Sequence, residues 1–384
     1  MTAGARSALM ATVLGAVLLA LVLAAGCGDK EPAAVEKKGP LYLGVVAPMS
    51  GTLKPAGRSL VQGADLAVQK ANAEGGVRGR PVRLLVEDEV EASNLPPERR
   101  LARDPRVSLI LGHLMERTFE DSRALYLEAG LPVLLPVLSP EDITEAPQPL
   151  FFRLMPSDKD QTRALADYAV KKLKDRRILV VHDGSANGRD QAQVFSQAIG
   201  QSAETQALVF ADAGQAFEAF KSQAQAFNPD MIFTTLSNQQ AVALAQLLSG
   251  LDEKPALLGG CCLALVEVGG FLTRYLPRTF LALPYDPGVV SPPLRKFAEA
   301  YRQAHHRAVD WVAVAGYDAV KLALAALTEA GDDPKEVAAY LNRLSDPSRS
   351  FEGLAGAFHF KTNGRGVHPV FVVQLTPSLI RHLP

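Results

Sequence analysis

Cysteine, tryptophan and net charge are all scarce in this chain. Among its 384 residues are three Cys and one Trp, and aromatic residues make up only 7%. Three thiols are too few for a disulfide-held scaffold. The 40 Lys and Arg nearly cancel the 41 Asp and Glu, leaving a formal net charge of -1. The counterion-release attraction used by nucleic-acid binders is therefore missing, and no nucleic-acid partner is expected. A single charge-free apolar run, Ala8 to Gly26, is long enough to cross a bilayer, which excludes a polytopic transporter. No GxGxxG follows a strand, and the GxxxxGKS/T phosphate loop, HExxH and the GxSxG elbow are all missing. His305 and His306 are adjacent on a predicted helix and point to different faces, which disfavours a shared metal. Neither catalysis nor a metal or cofactor is implied.

What remains is ordinary globular composition, 48% hydrophobic and 21% charged, long enough for two domains. The apolar run follows Arg6 and ends in Leu23, Ala24, Ala25, Gly26 and Cys27. It reads as a secretory signal, with a retained anchor helix as the other reading. Its end resembles the lipobox of bacterial lipoproteins, although Ala24 stands where Leu, Val or Ile is usual. The resemblance implies cleavage after residue 26 and lipid on Cys27, which would tie the protein to a membrane of the bacterial cell envelope. Removing residues 1–26 takes away Arg6 alone, leaving 39 basic against 41 acidic residues. Residues 27–40 then read as a flexible tether.

From Leu41 onward, short apolar runs alternate with helical patterns. Strands are predicted at 41–47, 82–86, 107–111, 133–138, 178–181, 208–210, 231–233 and 280–283, with helices between them. Such alternation predicts an α/β fold with mostly parallel sheets in two lobes, because one compact sheet would not hold so many strands. Near the C-terminus Asn363-Gly364 separates Phe358-His359-Phe360 from the run Val370 to Leu375, a hairpin signal. The vicinal Cys261 and Cys262 are open to three readings: small buried residues at a strand end, a strained disulfide, or a reactive or metal-binding pair.

Gly44 to Gly51 (GVVAPMSG), Gln62-Gly63-Ala64, Asn72, Gly75-Gly76-Val77, Asp88, Gly112-His113-Leu114, Phe152-Arg153, Asp160-Gln161, Tyr317-Asp318-Ala319 and Phe360 to Gly364 follow one another in a recognisable order. Together they resemble the type I periplasmic binding proteins, and within them the leucine/isoleucine/valine-binding family. The resemblance implies two Rossmann-like lobes joined by a three-segment hinge, 41–155 plus 286–357 and 156–285 plus 358–384. A solute would bind outside the carboxyl ends of the strands, where helix N-termini offer free N–H groups. The positions implied to face it are Ser50; His113, Glu116, Arg117 and Thr118; Val137 and Ser139; and Asn187, Ser237 and Cys261.

Three of these depart from the pattern of amino-acid receptors. Glu116 stands where Ser is common, Asn187 where an aromatic residue is common, and Cys261 where an acid pairs with the ligand ammonium. A buried ammonium with no carboxylate partner is costly, so an unmodified amino-acid site is not expected unless Glu116 takes that role. Ser139-Pro140-Glu141-Asp142 also reads as the start of a helix. The function implied is a solute-binding lipoprotein that captures a small polar molecule, such as a branched-chain amino acid or an amide, for an ABC permease. The alternative is a sensing or cell-wall-synthase-activating lipoprotein of the same fold that works through protein contacts.

Overall fold

Seven mostly apolar residues form strand β1, Leu41–Ala47, buried everywhere except Tyr42. Burial of nearly every position is what a parallel strand covered on both faces requires. The computed structural model describes residues 39–90, 97–144, 150–173, 177–210, 214–249, 254–286, 291–376 and 380–381. The leader, Cys27 and the tether up to residue 38 lie outside the described residues.

After β1 come α1 (Lys54–Ala73), β2 (Val82–Asp88), α2 (Pro97–Arg103), β3 (Val107–Leu111), α3 (Glu116–Ala129), β4 (Val133–Leu135) and β5 (Phe151–Arg153). The five strands pair in parallel in the order β2-β1-β3-β4-β5. Asn72 at the end of α1 fixes the next strand, donating to the Val82 carbonyl at 2.9 Å and accepting from its N–H at 2.8 Å. The helix expected after Ser139 is a 3-10 turn, Glu141–Thr144, within the described residues. The strand expected to reach Leu138 ends at Leu135, although 136–140 remain buried.

The second half runs α4 (Asp158–Tyr168), β6 (Arg177–His182), α5 (Ala186–Ile199), β7 (Glu204–Val209), α6 (Gly214–Phe227), β8 (Met231–Thr234), α7 (Asn238–Leu248), β9 (Ala256–Gly259), α8 (Val266–Tyr275) and β10 (Thr279–Leu283). Then follow α9 (Pro292–His305), α10 (Trp311–Ala330), α11 (Pro334–Arg343), β11 (Phe351–Gly353), β12 (Gly356–Phe360), β13 (Gly366–Val367), β14 (Phe371–Leu375) and β15 (Ile380–Arg381). The second sheet has the order β15-β14-β10-β9-β8-β6-β7, parallel from β6 to β10 and antiparallel at β14 and β15.

The Asn363-Gly364 turn does reverse the chain, with Gly364 at φ 75°. Its partner strand differs from the expected one: β12 pairs with the two-residue β13, and 371–375 continues to pair antiparallel with β10 in the second sheet, with β15 on its other side. A second apolar helix also corrects the sequence reading. Trp311–Ala330 is long and apolar enough to cross a membrane, yet 67% of its apolar window is buried inside the fold. It is a core helix packed on α1, and two glycines make the approach possible. A Cβ on Gly63 would lie 1.9 Å from the Ala313 carbonyl oxygen, and one on Gly316 would lie 2.3 Å from that of Leu60. Both distances are inside contact range, so the two backbones touch where only hydrogen fits.

Candidate functional site

The carboxyl ends of β1 and β3 are each organised by an acid. Asp88 accepts from the N–H of Met49 at 2.8 Å and of Val90 at 3.1 Å, holding the β1–α1 turn that contains Ser50. Burial opposes ionisation of Asp88, but these bonds and one from Ser50 outweigh it and hold the carboxyl below its ordinary value. Glu89 reaches across to the β3–α3 turn. Its oxygens accept from the N–H of Leu114 and of Met115, each at 3.0 Å, and also from Thr118. Met115 is the N-cap of α3 and has no side-chain cap of its own, and Glu89 holds the backbone that leads into this helix start. His113 completes the cluster with Nδ1 3.0 Å from Glu89 and Nε2 2.8 Å from the Tyr126 hydroxyl. One ring proton suffices: Nδ1–H donates to the acid and Nε2 accepts from Tyr126.

This arrangement matters because a helix start with free N–H groups is the natural seat for an anion. Here an internal carboxyl, that of Glu89, already stands at this start, held by the N–H groups of Leu114 and of the N-cap Met115. Glu116 and Arg117, one step further on, are exposed on the first turn of α3, and Arg117 is 3.9 Å from Asp121 with 91% of its side chain accessible.

At the second sheet the neighbouring loops converge on the start of α4. Asp158 accepts from Asn187 Nδ2 at 3.0 Å and is hydrogen-bonded by the Ser139 side chain, while its own N–H donates to the Ser139 carbonyl at 3.0 Å. Burial raises its pKa, and the bonds from Ser139 and Asn187 pull the other way. Three residues on, Gln161 Oε1 accepts the N–H of Cys261 at 3.0 Å. Cys261 is buried and Cys262 exposed, both as free thiols, on the 3-10 turn Cys261–Ala264 after β9. Ser139, Asn187 and Cys261 are thus brought together around one helix turn, while Val137 is buried and Ser237 is an exposed N-cap of α7.

Two arginines brace the segments around this turn. Arg153, with 0% exposure, donates from Nη1 to the Ser139 carbonyl at 3.0 Å and to that of Pro140, while its Nε and Nη2 have no partner among the described residues. Arg365 pairs with Glu141, and its Nη2 donates to Ser157 at 2.9 Å and Asp160 at 2.8 Å. Burial works against ionised Asp160, but the bonds from Arg365 and Ser157 prevail and hold its pKa down. Ser157 and Asp160 also form a reciprocal cap on α4. Sequence reading passed over Asp158 and Glu89 as site residues. An acid at a helix start and an acid after a strand are both common on surfaces, and their roles depend on partners far along the chain.

Where α1 faces the turn after β9, Pro55, Ala56, Ser59, Ala264, Leu265 and Trp311 line a cavity of about 40 Å³. A second, of about 20 Å³, lies among the connecting segments, with Met155, Tyr285, Trp311, Asp318, Phe358 and His368 in its wall. A wider recess of about 310 Å³ is bounded by Asp286, Ser291, Lys321 and Glu352. Groups of three or more His, Cys, Asp or Glu suited to a metal do not occur among the described residues.

The Leu/Ile/Val-binding protein of Escherichia coli (strain K12) is 23% identical over 316 residues, covering 79% of this chain and 83% of the relative. Among solved structures, the leucine binding protein LivK of Thermotoga maritima superposes with a TM-score of 0.78 at 22% identity, over 90% of this chain and 98% of that one. A solute binding protein of R. palustris in complex with benzoate superposes with a TM-score of 0.71 at 21% identity, over 90% and 96%. These likenesses establish the fold as that of the type I periplasmic binding proteins, α/β with two mostly parallel sheets. With the family's model matching residues 40–378, the chain belongs to the periplasmic binding protein family.

Proposed function

We infer that the protein is an extracytoplasmic solute-binding lipoprotein, tethered through Cys27, that takes a small polar solute between its lobes and passes it to an ABC importer. The lobes are 41–155 plus 286–357 and 156–285 plus 358–384, with solute held by closure about the connections between them. The observation that carries this reading is the convergence of Ser139, from the first sheet, with Asn187 on the Asp158 carboxylate. Asp158 supplies the acid that Cys261 does not, and it suits a solute presenting an ammonium or amide N–H. With the Glu89 carboxyl already beside the start of α3, a solute carboxylate is disfavoured there. An amide or amine therefore fits better than an unmodified α-amino acid. The relatives fit a variable ligand class, since one neighbour is a leucine binding protein and another holds benzoate.

The test is a melting-temperature panel of amides, amines, amino acids and aromatic carboxylates on the full chain, with mass spectrometry of small molecules released from protein purified natively. A solute at a hundred times its Kd adds ~2.7 kcal/mol, a clear upward shift that Asp158→Asn should abolish. A flat panel and an empty release spectrum would instead favour the second reading, a sensing or synthase-activating lipoprotein working through its surface. That reading draws on the Glu89 carboxyl beside the α3 start and the small volume between α1 and the β9 turn.

A further inference from the structure

The turn after β9 is tied to α4 by the bond from the Cys261 backbone N–H to Gln161, which a change at the sulfurs would leave in place. The two cysteines are consecutive in sequence, one is 1% exposed and the other accessible, and they share a hydrogen bond. We propose that Cys261 and Cys262 form a reversible thiol–disulfide site at the head of the turn after β9, closed to a vicinal disulfide by a disulfide-bearing oxidant.

The asymmetry of the pair sets the order of events. Accessible Cys262 is the thiol an oxidant can reach, and buried Cys261 stands within contact of its sulfur as the resolving group. The contact with Cys261 lowers the Cys262 thiol, whereas the same contact and burial raise Cys261. The Cys262 thiolate attacks one sulfur of the oxidant, whose S–S bond breaks; the departing half leaves as thiolate and takes up the proton Cys262 gave. Cys261 then attacks the Cys262 sulfur of the mixed disulfide, its proton going to the second departing thiolate. Two electrons pass from the pair to the oxidant, which ends as two thiols, and the new S–S bond spans adjacent residues. So small a ring is readily reopened by thiols, which suits a switch better than a staple. Ala264 and Leu265, at the end of the same turn, line the cavity opposite Pro55, Ala56 and Ser59, so ring closure acts on the surface that meets the first lobe.

The folded full chain is exposed to oxidised glutathione, quenched with acid, and the peptide containing both cysteines is weighed. The wild type should yield a peptide lighter by two hydrogens and restored by dithiothreitol. Cys261→Ala should instead retain one glutathione on Cys262, and Cys262→Ala should leave Cys261 unmodified while folded. A wild type that keeps glutathione on Cys262, or keeps both thiols under conditions that modify Cys261→Ala, overturns the proposal. So does a Cys261→Ala chain whose Cys262 never reacts. No solute enters this readout, so its failure leaves the solute-binding reading standing, and a flat solute panel leaves this one standing.

Discussion

Glu89 and His113 meet at 3.0 Å with neither side chain exposed to solvent at all. The acid stands one residue beyond β2 and the imidazole just after β3, so the contact ties the ends of two strands that flank β1 in the sheet. Because the same carboxyl also accepts from the N–H groups of Leu114 and Met115, it anchors the loop that leads into α3.

Removing that acid strands buried donors. Glu89→Ala leaves the N–H groups of Leu114 and Met115 and the His113 ring proton without their acceptor, which costs about 3–5 kcal/mol. Glu89→Gln keeps the shape and one acceptor and should lose about half as much. Urea unfolding of the two variants checks the order; equal stabilities for wild type and Glu89→Ala would show that the cluster contributes nothing.

The helix crossing gives a sharper contrast. Gly63→Ala puts a Cβ where the Ala313 carbonyl stands, forcing α1 and α10 apart, and should cost about 3 kcal/mol or more. Gly79→Ala meets nothing within 4 Å and strains only a φ of 75°, for a loss of about 1 kcal/mol. Melting temperatures of the two variants side by side separate packing from backbone strain.

These examples mark how far sequence carried. Short, mostly apolar runs such as Val107–Leu111, bounded by turn residues and too brief for a helix, announce buried parallel strands. The hairpin shows where such reasoning stops: Asn363-Gly364 says where the chain turns, but a two-residue strand such as β13 is too short to leave a pattern, so the pattern points to the next apolar run instead. Ser139, Asn187 and Cys261 were legible as loop positions at strand ends. Asp158, the residue that gathers the first two, was not, since an acid in a first helical turn needs no partner to be there.

For the solute reading, Asp158 is the discriminating side chain. Asp158→Asn keeps a side chain that can still meet Ser139 and Asn187 but removes the charge offered to a cationic or N–H-bearing solute. Binding of such a solute should weaken by about 2–4 kcal/mol, whereas binding through apolar contacts alone should hardly change. Isothermal titration with a solute identified from the panel decides between them.

Asp318 makes a pH-dependent contribution whose sign is fixed by its surroundings. Both oxygens accept from the Leu354 N–H, at 2.7 and 2.9 Å, and one from Ala355 at 3.3 Å, joining α10 to the turn before β12. Burial nonetheless pushes its pKa up to about 6, against those bonds. With the folded value above the unfolded one near 3.8, the native state binds the proton more tightly. The stabilisation from protonation is then complete below about pH 4 and is lost as pH rises through about 6. A shift of this size corresponds to about 3 kcal/mol at most. Asp318→Asn cannot titrate, so the stability difference between wild type and variant should move in favour of the variant from pH 4 to pH 7 and then level off. Urea midpoints measured for both chains at four pH values test this, and a difference that stays constant over that range would show that the Asp318 carboxyl titrates as it does in the unfolded chain.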